Sequence, residues 1–195
     1  MNSLPITREE AIALLKSMPQ LDSDMNHYLE TEAIMRALAE RFGEDVEYWG
    51  MLGLLHDADW ALTRNDVCEH CILAVEMLRA KGFGDAFIED MQSHGYGCVE
   101  TPKLQGKGRN SKLQHSLVAA ETLTGIIYAY ALMRGKKISD MAAKGLKKKF
   151  GDKNFAANCN RDRIREIELA GLTLDSFFDL AITAVRAIKG QVGLG

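Results

Sequence analysis

Apolar residues recur at spacings of three and four positions along most of the chain, and this spacing is typical of amphipathic α-helices. A capping box of Thr7 and Glu10 precedes the first apolar run, and Pro19 follows it. No segment alternates apolar and polar positions over the length of a strand. The pattern predicts helices over residues 7–18, 24–42, 45–55, 66–81, 85–93, 112–134, 139–150, 161–170 and 174–189.

These elements predict an all-α fold, a compact multi-helix bundle formed by a single helical domain over residues 1–195. The longest interruption, residues 95–111, is rich in glycine, lysine and asparagine and lacks periodicity, so we expect a loop there. Because it carries Lys103, Lys107 and Arg109, this loop is a candidate lid over a site.

Composition narrows the class of protein. The formal net charge of −3 argues against nucleic acid as a partner, and four cysteines are too few for a disulfide scaffold. Residues 1–7 lack a basic segment followed by an apolar one, so no signal peptide is expected. The apolar stretches carry charges before reaching about 18 residues, so we expect no membrane span. The expected location is the cytoplasm.

Candidate chemistry begins where the apolar run 50–55 ends in the adjacent pair His56 and Asp57. A buried histidine and carboxylate are costly unless something neutralises them. One explanation is a histidine satisfied by its protein neighbours. The other is a divalent metal that binds the imidazole nitrogen and the carboxylate oxygen together. This stretch alone does not decide between the two.

The rest of the chain favours the metal. His27, His70 and His94 each lie near the end of a predicted helix, and helix ends converge on a point more easily than helix middles do. Glu121 lies inside the most apolar predicted helix, where a carboxylate needs a partner. Each residue alone has an ordinary explanation, but the ordered combination predicts a metal site.

This order of residues resembles that of a known family. The pattern H…HD…H…H…D of the HD-domain superfamily of metal-dependent phosphohydrolases is similar to the series His27, His56-Asp57, His70, His94 and Glu121. The segment Ala119–Gly125 is similar to a helical stretch of that family in which aspartate occupies the position of Glu121.

The resemblance covers roughly residues 25–135. It implies an HD core at about 20–135 followed by a C-terminal helical extension at about 136–195. The segment 147–157 is similar to the tail of a bacterial subgroup of HD-type predicted hydrolases.

The resemblance also implies a ligand set. A first ion would be held by His27, His56, Asp57 and Glu121, and a second by His70 and His94 with Asp57 bridging. Imidazole and carboxylate donors together suit Mn, Fe, Co, Ni or Zn, as one or two ions. Such metals acidify water for attack on phosphorus. Glu121 is one methylene longer than aspartate, so it either reaches from further back or does not ligate.

The candidate catalytic carboxylates are Asp57 and Asp59. Asp59 would either transfer a proton as a general acid or base or form a hydrogen bond with a ligand histidine; a solvated helix-end carboxylate is the ordinary alternative. The region 144–165 is strongly basic and has two interpretations. It is either a solvated helix face or a source of side chains that bind the phosphate of a substrate. The candidate phosphate ligands are Lys149, Lys153 and Arg161.

The predicted function is a metal-dependent phosphohydrolase that cleaves a phosphate ester, such as a nucleotide or a related small molecule. The alternative is a non-catalytic metal-containing sensor that binds a phosphorylated ligand, and Glu121 keeps it open. The partner expected in either case is a small phosphate-containing molecule, and a homodimer is left open.

Two further expectations concern single residue types. Cys68 and Cys71, with Cys98 or Cys159, could form a rival structural zinc site, although one CxxC motif is a weak signal. His115, near the start of its predicted helix, is expected to be exposed.

Overall fold

The computed structural model describes residues 4–195, and every regular element in this range is helical. The all-α class is therefore confirmed. The helices are α1 (Arg8–Lys16), α2 (Asp22–Phe42), α3 (Val46–Leu55), α4 (Trp60–Thr63), α5 (Leu73–Ala80), α6 (Asp85–Gln92), α7 (Lys112–Met133), α8 (Ala143–Gly151), α9 (Arg161–Arg165) and α10 (Leu174–Ala187). Short 3₁₀ turns lie at Val67–Glu69, Ser93–Gly95, Pro102–Leu104 and Glu166–Glu168.

Helix α3 is the centre of the bundle. Its residues from Trp49 to Leu55 are all buried, and it packs closely against α2. Gly53 permits this contact, because a Cβ atom there would lie 2.9 Å from the carbonyl oxygen of Thr31 in α2. The close packing places the C-terminal end of α3, and with it His56, beside the N-terminal half of α2.

Helix α7 packs against α2 and α3 and contributes buried apolar residues from Leu117 to Ala131 to the core. By length and composition alone this helix could cross a membrane, although Glu121 interrupts its apolar residues as expected. In the structure most of this helix is buried against other helices, which is also the behaviour of a core helix.

The C-terminal helices pack onto the same two long helices. Helix α10 packs against α2, α8 packs against α7 and α10, and α9 packs against α7. The segment between α8 and α9 is held by the guanidinium group of Arg161, which donates to the backbone carbonyls of Phe150, Asp152, Phe155, Ala156 and Cys159. This arrangement brings residues 158–163 against the side of α7 that faces α2.

The prediction of a helix over residues 66–81 was wrong for the first half of that segment. A 3₁₀ turn ends at Glu69, His70 has an extended backbone, and Cys71 has a positive φ of 65°. Helix α5 begins only at Leu73. The carboxylate of Asp59 accepts a hydrogen bond from the backbone N–H of Ala74 at 2.9 Å, so a side chain from outside the segment caps the shorter helix. The predicted helices 139–150 and 161–170 are also shorter than expected, starting at Ala143 and ending at Arg165.

Candidate metal centre

Five of the predicted site residues come from four separate segments and meet at one place. His27 lies in α2, and His56 and Asp57 follow the last residue of α3. His70 precedes α5, and His94 lies in the 3₁₀ turn after α6. His56 and His94 are buried, whereas His27, Asp57 and His70 are partly exposed. The cluster is therefore enclosed on its inner side and open to solvent on the other.

The first group of donor atoms contains His27, His56 and Asp57. The Nε2 atoms of His27 and His56 are 3.0 Å apart. Asp57 Oδ2 lies 3.7 Å from Nε2 of His27, and Asp57 Oδ1 lies 3.5 Å from Nε2 of His56. All three residues can offer one ligand atom to a common point.

The second group lies on the other side of the same carboxylate. Asp57 Oδ1 is 3.3 Å from Nε2 of His70 and 3.0 Å from Nε2 of His94. These two Nε2 atoms are 3.3 Å apart. Cys71 joins this group, because its Sγ atom lies 3.4 Å from Nε2 of His94. Asp57 thus contacts both groups.

The orientation of each imidazole is set through its Nδ1 atom. Three of these atoms donate to oxygens within hydrogen-bond distance: His56 to the carbonyl of Gly53 at 2.8 Å, His94 to the carbonyl of Met91 at 2.6 Å, and His70 to Oδ1 of Asp59 at 2.8 Å. His27 Nδ1 donates at 2.8 Å to Oγ1 of Thr124, whose hydroxyl donates in turn to the carbonyl of Glu121. Each Nε2 of a neutral imidazole therefore presents a lone pair to the cluster.

This arrangement fits a metal. Lone pairs that face one another at 3.0 Å, as on His27 and His56, or at 3.3 Å, as on His70 and His94, repel unless a cation lies between them. Histidine ligands of metals characteristically donate their second nitrogen to a carbonyl or carboxylate, as all but His27 do here. Imidazole, carboxylate and thiol donors together suit divalent transition metals.

The charges of the cluster support the same interpretation. Burial lowers the pKa of His56 to about 3, against the effect of the Asp57 carboxylate. Burial by itself would raise the pKa of Asp57, but the imidazoles of His56 and His70 hold it well below its usual range. For His70 burial opposes the charged form, yet the carboxylates of Asp57 and Asp59 raise its pKa far above the usual value. The cluster therefore holds an ionised carboxylate that attracts positive charge, either as a proton on His70 or as a metal ion that takes the place of that proton.

Glu121 is not brought into either group of donors. Among residues 4–195, the two metal-capable groups exclude it, and its carboxylate accepts a hydrogen bond from the hydroxyl of Thr122. Burial raises the pKa of Glu121, opposed mainly by the imidazole of His94. Glu121 and His27 both line a pocket beside the cluster. The role of Glu121 as a metal ligand stays a prediction.

Asp59 lies behind the cluster. It is buried; Oδ1 accepts from Nδ1 of His70, and Oδ2 accepts from the backbone of Ala74. Of the two roles considered for Asp59, this position supports the hydrogen bond to a ligand histidine, because both oxygens are already engaged away from the pocket.

None of the three cations predicted to bind phosphate contacts the five-residue cluster. The ammonium group of Lys149 lies 4.7 Å from the ring centre of Phe155, and Arg161 is occupied by backbone carbonyls. Lys153 and Arg161 line a separate surface pocket of about 610 Å³. Their contact with a substrate stays a prediction.

Arg163 is the cation that sequence reasoning did not single out. A pocket of about 260 Å³ adjoins the cluster and is lined by His27, Glu121, Thr122, Thr124, Gly125, Asn158, Cys159, Asn160 and Arg163. Arg163 is half-buried there, on α9. The sequence signal for it was only its place in the basic region 144–165, which did not distinguish it from its neighbours.

His115 is not exposed, which corrects the expectation. Its Nδ1 lies 2.8 Å from Oε2 of Glu166, and that carboxylate also binds the guanidinium of Arg109 through two contacts of 2.6 Å. Arg109 donates further to the carbonyls of Ser93 and Tyr96, on either side of His94. The candidate lid is therefore anchored at Arg109, and this network supports the backbone that positions His94.

The four cysteines do not form a common site. Within the described residues, only Cys71 belongs to a metal-capable group, and its partners there are histidines. Cys68 is exposed, and Cys98 contacts Glu100. The rival zinc site built from several cysteines is therefore not assembled.

Comparison with known proteins identifies the family. Searches of curated proteins and of solved structures find no match for the chain. The model of the HD domain family matches residues 25–171, a range that takes in the whole histidine and aspartate cluster as well as α8 and α9. Because this match covers more than half of the sequence, the chain belongs to the HD-domain superfamily of metal-dependent phosphohydrolases.

Proposed function

We propose that this protein hydrolyses a small phosphate monoester, such as a nucleotide or a related molecule, with one or two divalent transition metals held by the histidine and aspartate cluster. The observation that carries the proposal is the position of Asp57. Its carboxylate lies within 3.0–3.7 Å of four imidazole nitrogens that belong to two separate groups. A carboxylate shared in this way suits a site for two ions.

The chain's own residues have distinct roles in the proposal. A divalent metal bound here supplies Lewis acidity, which acidifies water and polarises phosphoryl oxygens. His27, His56, His70 and His94 offer neutral nitrogen donors, and Asp57 offers the negative charge that balances them. Asp59 keeps His70 in the tautomer that leaves its Nε2 free to ligate.

The pocket beside His27 suggests how a substrate is held. Its volume of about 260 Å³ lies just below the usual range of small-molecule sites, about 300–1,000 Å³, and so favours a small monoester. Arg163 offers a planar guanidinium that can donate two hydrogen bonds to one phosphate group. His27, which lines the same pocket, would then lie next to the phosphoryl group of the substrate.

The proposal is tested by supplying metal and substrates together. Metal-free protein is incubated with Mn²⁺, Co²⁺, Ni²⁺ or Zn²⁺ and a panel of aryl phosphates, nucleoside monophosphates and phosphodiesters, and released phosphate is measured. We expect metal-dependent release from monoesters that a chelator abolishes. If protein with confirmed metal content hydrolyses nothing while a phosphorylated ligand still binds, the sensor alternative replaces the enzyme.

Replacing Arg163 with alanine tests the position of the substrate. We expect KM for a phosphate monoester to rise roughly 10- to 100-fold, since a hydrogen bond to a charged group contributes about 1.5–3 kcal/mol. The bound metal should be unchanged, because Arg163 is not among the donors. Steady-state kinetics and elemental analysis provide the measurements.

Two further variants make the Arg163 result specific. Arg41→Ala removes an exposed arginine at the end of α2 and should leave KM unchanged. Lys153→Ala tests the larger pocket of about 610 Å³. An increase in KM for Lys153→Ala without one for Arg163→Ala would move the substrate to that pocket.

A further inference from the structure

Cys71 occupies an unusual backbone position. It lies between the 3₁₀ turn at Val67–Glu69 and α5, and its φ of 65° is in the left-handed region that non-glycine residues rarely adopt. The residue is fully buried. A strained conformation of this kind persists only where the surrounding structure holds it.

The surroundings hold the thiol against the histidines. Sγ of Cys71 lies 3.4 Å from Nε2 of His94, the same nitrogen that contacts Asp57 at 3.0 Å and His70 at 3.3 Å. Space for the sulfur depends on Gly95, because a Cβ atom there would lie 2.9 Å from Sγ. The strained backbone therefore directs the sulfur into a cluster of polar donor atoms.

The distances between these donors match those of a metal site. Metal–nitrogen and metal–sulfur bonds of about 2.0–2.3 Å in a tetrahedron separate neighbouring donors by about 3.3–3.8 Å. The separations here are 3.4 Å from Cys71 Sγ to His94 Nε2, 3.3 Å between the Nε2 atoms of His94 and His70, and 3.3 Å from His70 Nε2 to Asp57 Oδ1. The donor atoms of His70, Cys71 and His94 lie within 4.8 Å of one another and so can share one ion, and Asp57 Oδ1 contacts two of these three residues.

We propose that Cys71 ligates the second metal of this centre as a thiolate, together with His70, His94 and Asp57. The inference rests on the metal site of the proposed function and adds a sulfur donor to it. When the sulfur–metal bond forms, the thiol S–H bond breaks and its proton passes to solvent. A thiolate favours softer ions, so this position selects Zn²⁺, Fe²⁺ or Co²⁺ over Mn²⁺ and Mg²⁺. The first position, with His27 and His56, has no sulfur donor and therefore no such preference for softer ions.

Cobalt spectroscopy tests the sulfur ligand directly. Metal-free protein is titrated with Co²⁺, and the thiolate-to-cobalt charge-transfer band in the near ultraviolet is recorded. We expect the band in the unmodified protein and its loss in Cys71→Gly, in which glycine accepts the positive φ without strain. Affinity for one Co²⁺ equivalent should fall at least tenfold, since loss of an outer-shell partner alone costs about 10–100-fold. Cys68→Ser, which removes the nearby exposed cysteine, should retain the band.

A second measurement avoids any dependence on the variant folding. X-ray absorption of the zinc-loaded unmodified protein should detect one sulfur neighbour at about 2.3 Å. Metal bound without a sulfur neighbour, or a band that persists in Cys71→Gly, would mean that Cys71 is only a small apolar side chain beside Tyr96 and Leu104. Neither readout needs turnover. Sulfur ligation without hydrolysis would contradict the proposed function alone, and hydrolysis without sulfur ligation would contradict this inference alone.

Discussion

Replacing Asp57 with asparagine is expected to lower metal-dependent phosphate release by a factor on the order of 10²–10⁴, because both groups of donors lose their shared ligand. Asparagine keeps the size of the side chain but removes its negative charge. Without that charge the four imidazoles lack the group that attracts a cation into the pocket. Phosphate release and metal content per chain, measured on the same sample, provide the test.

Two comparisons make the Asp57 result specific. Asp179→Asn changes an exposed carboxylate on α10 and should affect neither measurement. Asp59→Asn alters the hydrogen bond to His70 without removing a donor, so a smaller loss of about 10–100-fold is expected. If Asp57→Asn retains both its metal and its rate, the shared carboxylate is not the centre of the site.

Replacing Glu30 with glutamine is expected to stabilise the fold at alkaline pH. Glu30 in α2 is buried, and its Oε1 has no hydrogen-bond partner among the described residues. Burial raises the pKa of its carboxyl to about 8. A tenfold difference in proton affinity corresponds to about 1.4 kcal/mol, so the ionised form costs the fold several kcal/mol.

The direction of the pH effect follows from proton binding. Above the ordinary glutamate pKa and below about 8, the folded state keeps the proton of Glu30 while the unfolded state has released it. Stability from this residue is therefore complete in acid and declines as the pH rises through that range. Urea unfolding at about pH 5 and about pH 9 should show Glu30→Gln near the parent at the first pH and about 2–4 kcal/mol more stable at the second.

The control for Glu30 is another glutamate of the same helix. Glu40 is exposed, so Glu40→Gln should leave the pH dependence of unfolding unchanged. Equal slopes of stability against pH for the parent and for Glu30→Gln would show that Glu30 is not ionised at a cost in the folded protein.

The helices most accurately predicted from the sequence have local signals at their ends. Helix α2 begins where Asp24 accepts the backbone N–H of Leu21 and ends at Gly43, whose φ of 72° glycine readily adopts. Helix α7 begins after Ser111, whose hydroxyl accepts the N–H of Gln114. Such signals act within three or four residues, so the sequence alone reveals them.

The errors concern places where distant residues override local preference. Nothing in the sequence around Cys71 marks a break in a helix, but Asp59 binds both His70 and Ala74 and so starts α5 later. His115 was expected to be exposed because its partner, Glu166, lies 51 positions away. The long apolar helix α7 is likewise assigned to the core by its packing and not by its composition.

The sequence by itself determined the all-α class, because helix periodicity is a local property. It also identified the four histidines and the aspartate from which a metal site could be built, because residue type and order are read directly from the chain. The tertiary structure alone decided that Cys71 faces His94, that Glu121 turns to Thr122, and that Arg163 lines the adjoining pocket. The reason is physical. A metal site requires donor atoms from separate segments to be placed to within a few tenths of an ångström. Contacts such as that between His27 and Thr124 span 97 positions of the chain.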